Sequence, residues 1–135
     1  MVEATTIVRA LLGTATVLPG VFMTLIGLGV VPVDETMGQI ANIFIEPFNI
    51  PLTTFLCVLG PCKILGALSL WNIGPMPQWF GRIGLLISSI CAGIGHSKIG
   101  DSVVGPVVYI GLISSLYYLD PTMTTTKNKW CFICS

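Results

Sequence analysis

Four apolar runs, each long enough to cross a lipid bilayer, constrain this chain more than any motif in it. A helix needs about 20 apolar residues to span a hydrocarbon core of roughly 30 Å, and residues 10–33, 48–71, 79–96 and 102–119 form such runs. The first and fourth carry no formal charge, the second only Lys63 and the third only Arg82. Charged residues make up 9% of the 135, against about 25% in an ordinary soluble domain. A small soluble fold cannot hide that much apolar surface, because much of a small domain stays wet. Soluble enzymes and disordered tails are excluded on this ground. A net charge of +0 without a basic cluster removes the electrostatic footprint of nucleic-acid binding. The expected architecture is all-α: one four-transmembrane-helix bundle over residues 1–120, followed by a polar C-terminal tail over 121–135.

Gly- and Pro-rich turns at 72–78 and 97–101 join the last three spans, so those helices should be antiparallel neighbours. The first run is longer than a signal-peptide core, and Glu3 and Arg9 flank it in place of a basic leader; a retained helix is expected. Four spans put Arg9, Arg82, Lys127 and Lys129 on one side and Lys98 on the other, which places both termini on the cytoplasmic, matrix or stromal side. The opposite side is acidic, with Asp34, Glu35, Glu46 and Asp101. The long connection 32–47 is too short to span. Met37, Ile40, Ala41, Phe44 and Ile45 recur there at helical spacing. This fits a helix lying in the interface or re-entering against the bundle; a surface loop with one amphipathic turn is the alternative.

Function in such a bundle must come from side chains facing its interior, since the helices satisfy their own backbone. Lys63 lies near the middle of the second span, with Gly60 and Ala67 on its face. It is either a paired polar interior site or a lysine that snorkels toward the acidic side or sits neutral. Gly84, Ser88, Ala92 and His96 are spaced by four on the third helix. Such a small-residue row is expected to pack on another helix and carry His96 inward, as a polar cap or as a reacting group. By helical rise, Lys63 and His96 differ by about 13 Å in depth, so a water or an acidic residue from 32–47 would have to lie between them. Asp101 follows His96 across Gly100; it should contact His96 and cap the fourth helix. Gly13, Thr16, Gly20, Thr24 and Gly27 give the first helix its own small-residue face, interrupted by Pro19, and Pro61 stands beside Lys63.

Cys57, Cys62 and Cys91 lie in apolar runs and act there as small hydrophobes. Cys131 and Cys134 form a lone CxxC in the tail. Zinc would need a second pair, and a redox pair would need a thioredoxin-like fold; palmitoylation or no role remains. No metal site, and no flavin, haem or dinucleotide motif, is expected.

The stretch 59–68, Leu-Gly-Pro-Cys-Lys-Ile-Leu-Gly-Ala-Leu, resembles the G-x-x-K-L-L-G-A pattern of DoxX-like membrane proteins. Arg82, Ala92, His96 and Gly100-Asp101 are similar to the same family's R…A…H…GD arrangement. The resemblance covers roughly residues 48–119 and implies a compact four-helix membrane fold, related to small subunits of thiosulfate, quinone or redox-stress systems. It carries over Lys63, His96 and Asp101 as a polar site, without an activity. Three functions follow from it and from the composition. The first is an accessory subunit packing against membrane lipids and a larger membrane complex through the rows Gly84-Ser88-Ala92 and Gly13-Gly20. The second is a redox component that admits a quinone or small thiol compound to Lys63 and His96. The third is a small oligomeric transporter. One His, one buried Lys and no carboxylate pair equip the chain poorly as an isolated enzyme.

Overall fold

The apolar runs fold as helices whose ends are set by glycine, proline and polar punctuation. The computed structural model describes residues 2–120, which contain α1 (Val2–Gly27), α2 (Glu35–Ile45), a 3-10 turn (Glu46–Phe48), α3 (Leu52–Leu70), α4 (Gln78–Ile99) and α5 (Val104–Leu119). The fold class is all-α, and among the described residues there is no strand. Two helical stretches, Glu3–Gly27 and Leu52–Leu70, are long and apolar enough to cross a membrane. The apolar α5 is shorter, with 16 residues, and α4 is diluted by Arg82, its serines, His96 and Lys98. The tail 121–135, with Cys131 and Cys134, lies outside the described residues.

Helix α1 ends six residues before the expected boundary. Gly29 adopts a left-handed conformation (φ 76°), and the amide of Val30 returns to the carbonyl of Leu25 at 2.9 Å, a glycine-based stop that turns the chain out of the helix. The chain then enters α2, whose first turn is capped by Asp34 accepting from the Met37 amide at 3.4 Å. The 32–47 connection is therefore helical over most of its length. It buries Ala41 and Ile45 and seats Ile40 where a side chain on Gly95 of α4 would overlap it.

Close approach of backbones organises the bundle. Helices α1 and α3 meet through glycine: a Cβ on Gly60 would lie 2.7 Å from the carbonyl oxygen of Gly20, and one on Gly27 2.6 Å from the amide of Cys57. A Cβ on Gly13 would overlap the Trp71 ring, whose Nε1 donates to the carbonyl of Arg9 at 3.2 Å. The Gly13–Gly20 face is thus used inside the chain. Helix α4 packs on α3 at Gly81, where a Cβ would come within 2.6 Å of the Gly66 carbonyl. Ser69 secures that crossing by donating to the Pro77 carbonyl at 2.7 Å and accepting from the Gly81 amide at 3.3 Å. Helix α5 closes the bundle against α4 and α1.

The two ends of the bundle differ. At one end Leu12, Leu70, Leu85, Ile113 and Leu116, from all four long helices, form the buried core. Above it, Asp120 joins Arg9 at 2.5 Å and Arg82 at 3.4 Å. The Arg82 guanidinium also lies 5.5 Å from the centroid of the Tyr117 ring. Arg82 is 1% exposed, making it the largest fully buried side chain of the described residues. The other end, crossed by α2, is hollow.

Candidate functional site

The hollow end holds a half-open cavity of about 570 Å³ bordered by α1, α2, α3 and α4. Its walls are apolar for the most part. Phe44 and Ile40 come from α2, Phe55 and Leu59 from α3, and Ile87 from α4. Into this lining the fold brings Lys63, His96 and Asp34. Cavities of roughly 300–1,000 Å³, apolar with a few placed polar groups, are typical of small-molecule sites. Lys63 and His96 therefore share one cavity although they stand far apart along the helices, about 16 Å by helical rise from the common end. The acidic residue from the first connection that borders the same space is Asp34.

Each polar group arrives there for a local reason. Lys63 follows Pro61 in α3, and helix α3 runs unbroken through that proline. Its stem packs on α1, where a Cβ on Gly20 would lie 3.2 Å from Lys63 Cβ. Among the described residues, none of the ion pairs involves the Lys63 ammonium. His96 sits in the last turn of α4, which runs on to Ile99 and stops at Gly100 (φ 74°). The left-handed glycine lets the Asp101 amide return to the His96 carbonyl at 2.9 Å and brings the Asp101 carboxylate back to the imidazole. His96 Nδ1 and Asp101 Oδ2 are 2.8 Å apart.

The Asp101 carboxyl is held below the ordinary carboxylate range, first by the hydrogen bond from the Ser102 amide and then by the one from His96. An ionised carboxylate only accepts, so Nδ1 of His96 carries the shared proton and Nε2 is the ring nitrogen left for another partner. The expected role of Asp101 as cap of the next helix is corrected. Helix α5 starts at Val104 with Val103 in the cap position and no side-chain cap; Asp101 stands two residues before that position, and its Oδ1 accepts from the Ser102 amide at 2.7 Å.

A second correction concerns Gly84, Ser88 and Ala92. These residues do share a face with His96, but that face lines the cavity, and a Cβ on Gly84 would meet no atom within 4 Å. The helix-packing face of α4 is instead the one carrying Gly81, Leu85 and Gly95. Sequence reasoning gave no role to Asp120 and did not join Arg9 and Arg82, reading them as markers of sidedness and Arg82 as part of the family pattern. Its available signal was an acid placed directly after the last apolar run. Among the described residues, no group of three or more His, Cys, Asp or Glu side chains is placed to hold a metal ion. No family model matches the chain, and neither a curated protein nor a solved structure matches it.

Proposed function

We propose that this chain is a four-pass membrane protein of DoxX-like type that binds a lipophilic small molecule in the cavity beneath α2, with Lys63 and His96 as its polar contacts. The observation that carries the proposal is the convergence of these two side chains on one apolar cavity of about 570 Å³. Four-pass insertion is supported by the outward faces of α4 and α5, where Ile83, Ile90, Ile94, Val104, Val107 and Val108 are exposed. It is also supported by the gathering of Arg9 and Arg82 at one end, the side that the basic-residue bias makes cytoplasmic, matrix or stromal.

In a bilayer, a lone ammonium near the midplane costs roughly 2.5–3.5 kcal/mol on insertion scales. A residue placed there at such a cost, bordering a cavity, is a ligand contact by the economy of membrane proteins. The quinones and small thiol compounds suggested by the family resemblance are candidate occupants, and a redox role would follow if one of them is handled there. The Gly13–Gly20 row packs on α3 and Trp71 within the chain, while the row of exposed Gly84 borders the cavity and stays open; packing of that open face against a partner subunit is the second reading.

The test is to solubilise the protein mildly from its native membrane and analyse the organic extract by mass spectrometry. A stoichiometric lipophilic compound, lost from Gly84→Leu, supports the proposal. An extract with only bulk lipid, with no rise in melting temperature on adding decylubiquinone or lauric acid, would overturn it.

A further inference from the structure

We infer that the ligand of this cavity is a lipid-soluble acid, held as its monoanion by Lys63. The inference rests on the cavity reading above and names the ligand's head group. Three charged or chargeable groups of opposite kinds border the space: Asp34, Lys63 and His96. Two of them are committed elsewhere. Asp34 accepts the Met37 amide as the cap of α2, and His96 is held by Asp101. Lys63 is the one for which the described residues form no ion pair.

Its position is fixed from behind. Gly20 of α1 backs the Lys63 Cβ, and Lys63 borders the cavity beyond it. The walls of the cavity include Leu59, Phe55, Leu56 and Ile87, with hydroxyls only at Thr36 and Ser88. A neutral occupant would leave that cation uncompensated in apolar surroundings, and a cationic one would add repulsion. A single carboxylate on an alkyl or isoprenoid body matches both parts of the lining, the ammonium by charge and the aromatic and aliphatic walls by burial. A dianionic head would bring more charge than the one cation balances. The other lining groups that titrate, Asp34, Cys91 and His96, add no second cation at Lys63, since His96 is about 16 Å away by helical rise.

The experiment is photolabelling of the full chain in phosphatidylcholine nanodiscs with a diazirine-bearing palmitic acid and the alcohol of the same chain. The acid should label cavity residues such as Phe44, Leu59 and Ile87 at least about tenfold more than the alcohol, the value of one charge-assisted hydrogen bond. Lys63→Met should lose that advantage and Lys63→Arg should keep it. Gly84→Leu, which fills the cavity from a position with open space at its Cβ, should abolish labelling by both probes. Equal labelling by acid and alcohol, removed by Gly84→Leu, would overturn the acid head while leaving the cavity reading in place. Undiminished acid labelling of a monodisperse Lys63→Met variant would also overturn it. Absence of cavity labelling by either probe would overturn both readings. If Lys63→Met fails to fold, the acid-to-alcohol ratio in the unaltered protein decides.

Discussion

Replacing Asp120 by alanine should destabilise this protein more than replacing either arginine that it binds. One carboxylate serves two guanidinium groups, with Arg9 at 2.5 Å and Arg82 at 3.4 Å. Side-chain exposure is 1% for Arg82, 17% for Asp120 and 23% for Arg9, so water can compensate little at Arg82. Removing one partner of a buried pair costs about 3–5 kcal/mol, because the other charge is left buried and alone. Partial exposure of Asp120 and Arg9 puts Asp120→Ala near the low end, about 3 kcal/mol. Arg82→Met leaves Asp120 paired with Arg9. It forfeits two long hydrogen bonds to Asp120 and the contact with the Tyr117 ring, a loss of about 1–2 kcal/mol. At about 4 °C per kcal/mol for a chain of this length, the melting temperature should fall by about 12 °C for Asp120→Ala. For Arg82→Met the fall should be about 4–8 °C. Circular dichroism melts in a non-ionic detergent would measure both. The double variant Arg82→Met/Asp120→Ala should lose less than the sum, because it no longer buries the orphaned cation. An Asp120→Ala melt within 1 °C of the unaltered protein, or strict additivity in the double variant, would refute this account of the cluster.

Gly60→Ala should cost about 1–3 kcal/mol by overpacking, since its Cβ would press on the Gly20 carbonyl and Thr24 amide, each at 2.7 Å. Gly84→Ala, with nothing within 4 Å of its Cβ, should be neutral or stabilising by up to about 1 kcal/mol; equal losses at the two sites in thermal melts would contradict the packing described. The carboxyl of Asp101 is depressed by its hydrogen bonds from Ser102 and His96. Its contribution to stability is therefore complete above the ordinary carboxylate pKa of about 3.9 and is lost as pH falls through the lowered value. Asp101→Asn should flatten that acid limb of a stability–pH curve, and an unchanged limb would show that the interaction is silent. If four helices cross the membrane, cysteines placed at Asp34 and Ile73 in a background without native thiols should be labelled from opposite sides by an impermeant maleimide; labelling from the same side would overturn the four-pass proposal.

Helix existence was legible because apolar runs of this length have few other ways to satisfy their backbone. The amphipathic spacing of Met37, Ile40, Ala41 and Phe44 pointed to a helix between the first two apolar runs and left a loop with one amphipathic turn as the alternative; the chain forms the helix, over Glu35–Ile45. Boundaries were less legible. Hydropathy extends the first run to residue 33, whereas the left-handed Gly29 ends α1 at Gly27, since backbone geometry rather than side-chain polarity stops a helix. The meeting of His96 with Asp101 could be read from five residues of local sequence and a glycine between them. The role of Asp101 as a cap was misread, because α5 starts only at Val104, which puts Val103 rather than Asp101 in the cap position.

Sequence by itself determined that the described chain is helical, that Lys63 and His96 are polar groups set in apolar helices, and that Gly84, Ser88, Ala92 and His96 share one face. Those are consequences of composition and of 3.6-residue periodicity, which act within a single helix. Only the tertiary structure decided what each face meets. The Gly13–Gly20 face is taken by Trp71 and α3, the Gly84 face is left open onto a cavity, and α2 folds across the end to bring Asp34, Lys63 and His96 to one space. The joining of Arg9, Arg82 and Asp120 was equally invisible. A small residue reads the same whether a neighbouring backbone presses on it or a void faces it, and a charge reads the same whether its partner is one turn or 111 residues away; packing between helices distinguishes those cases, and periodicity along one helix carries no record of it.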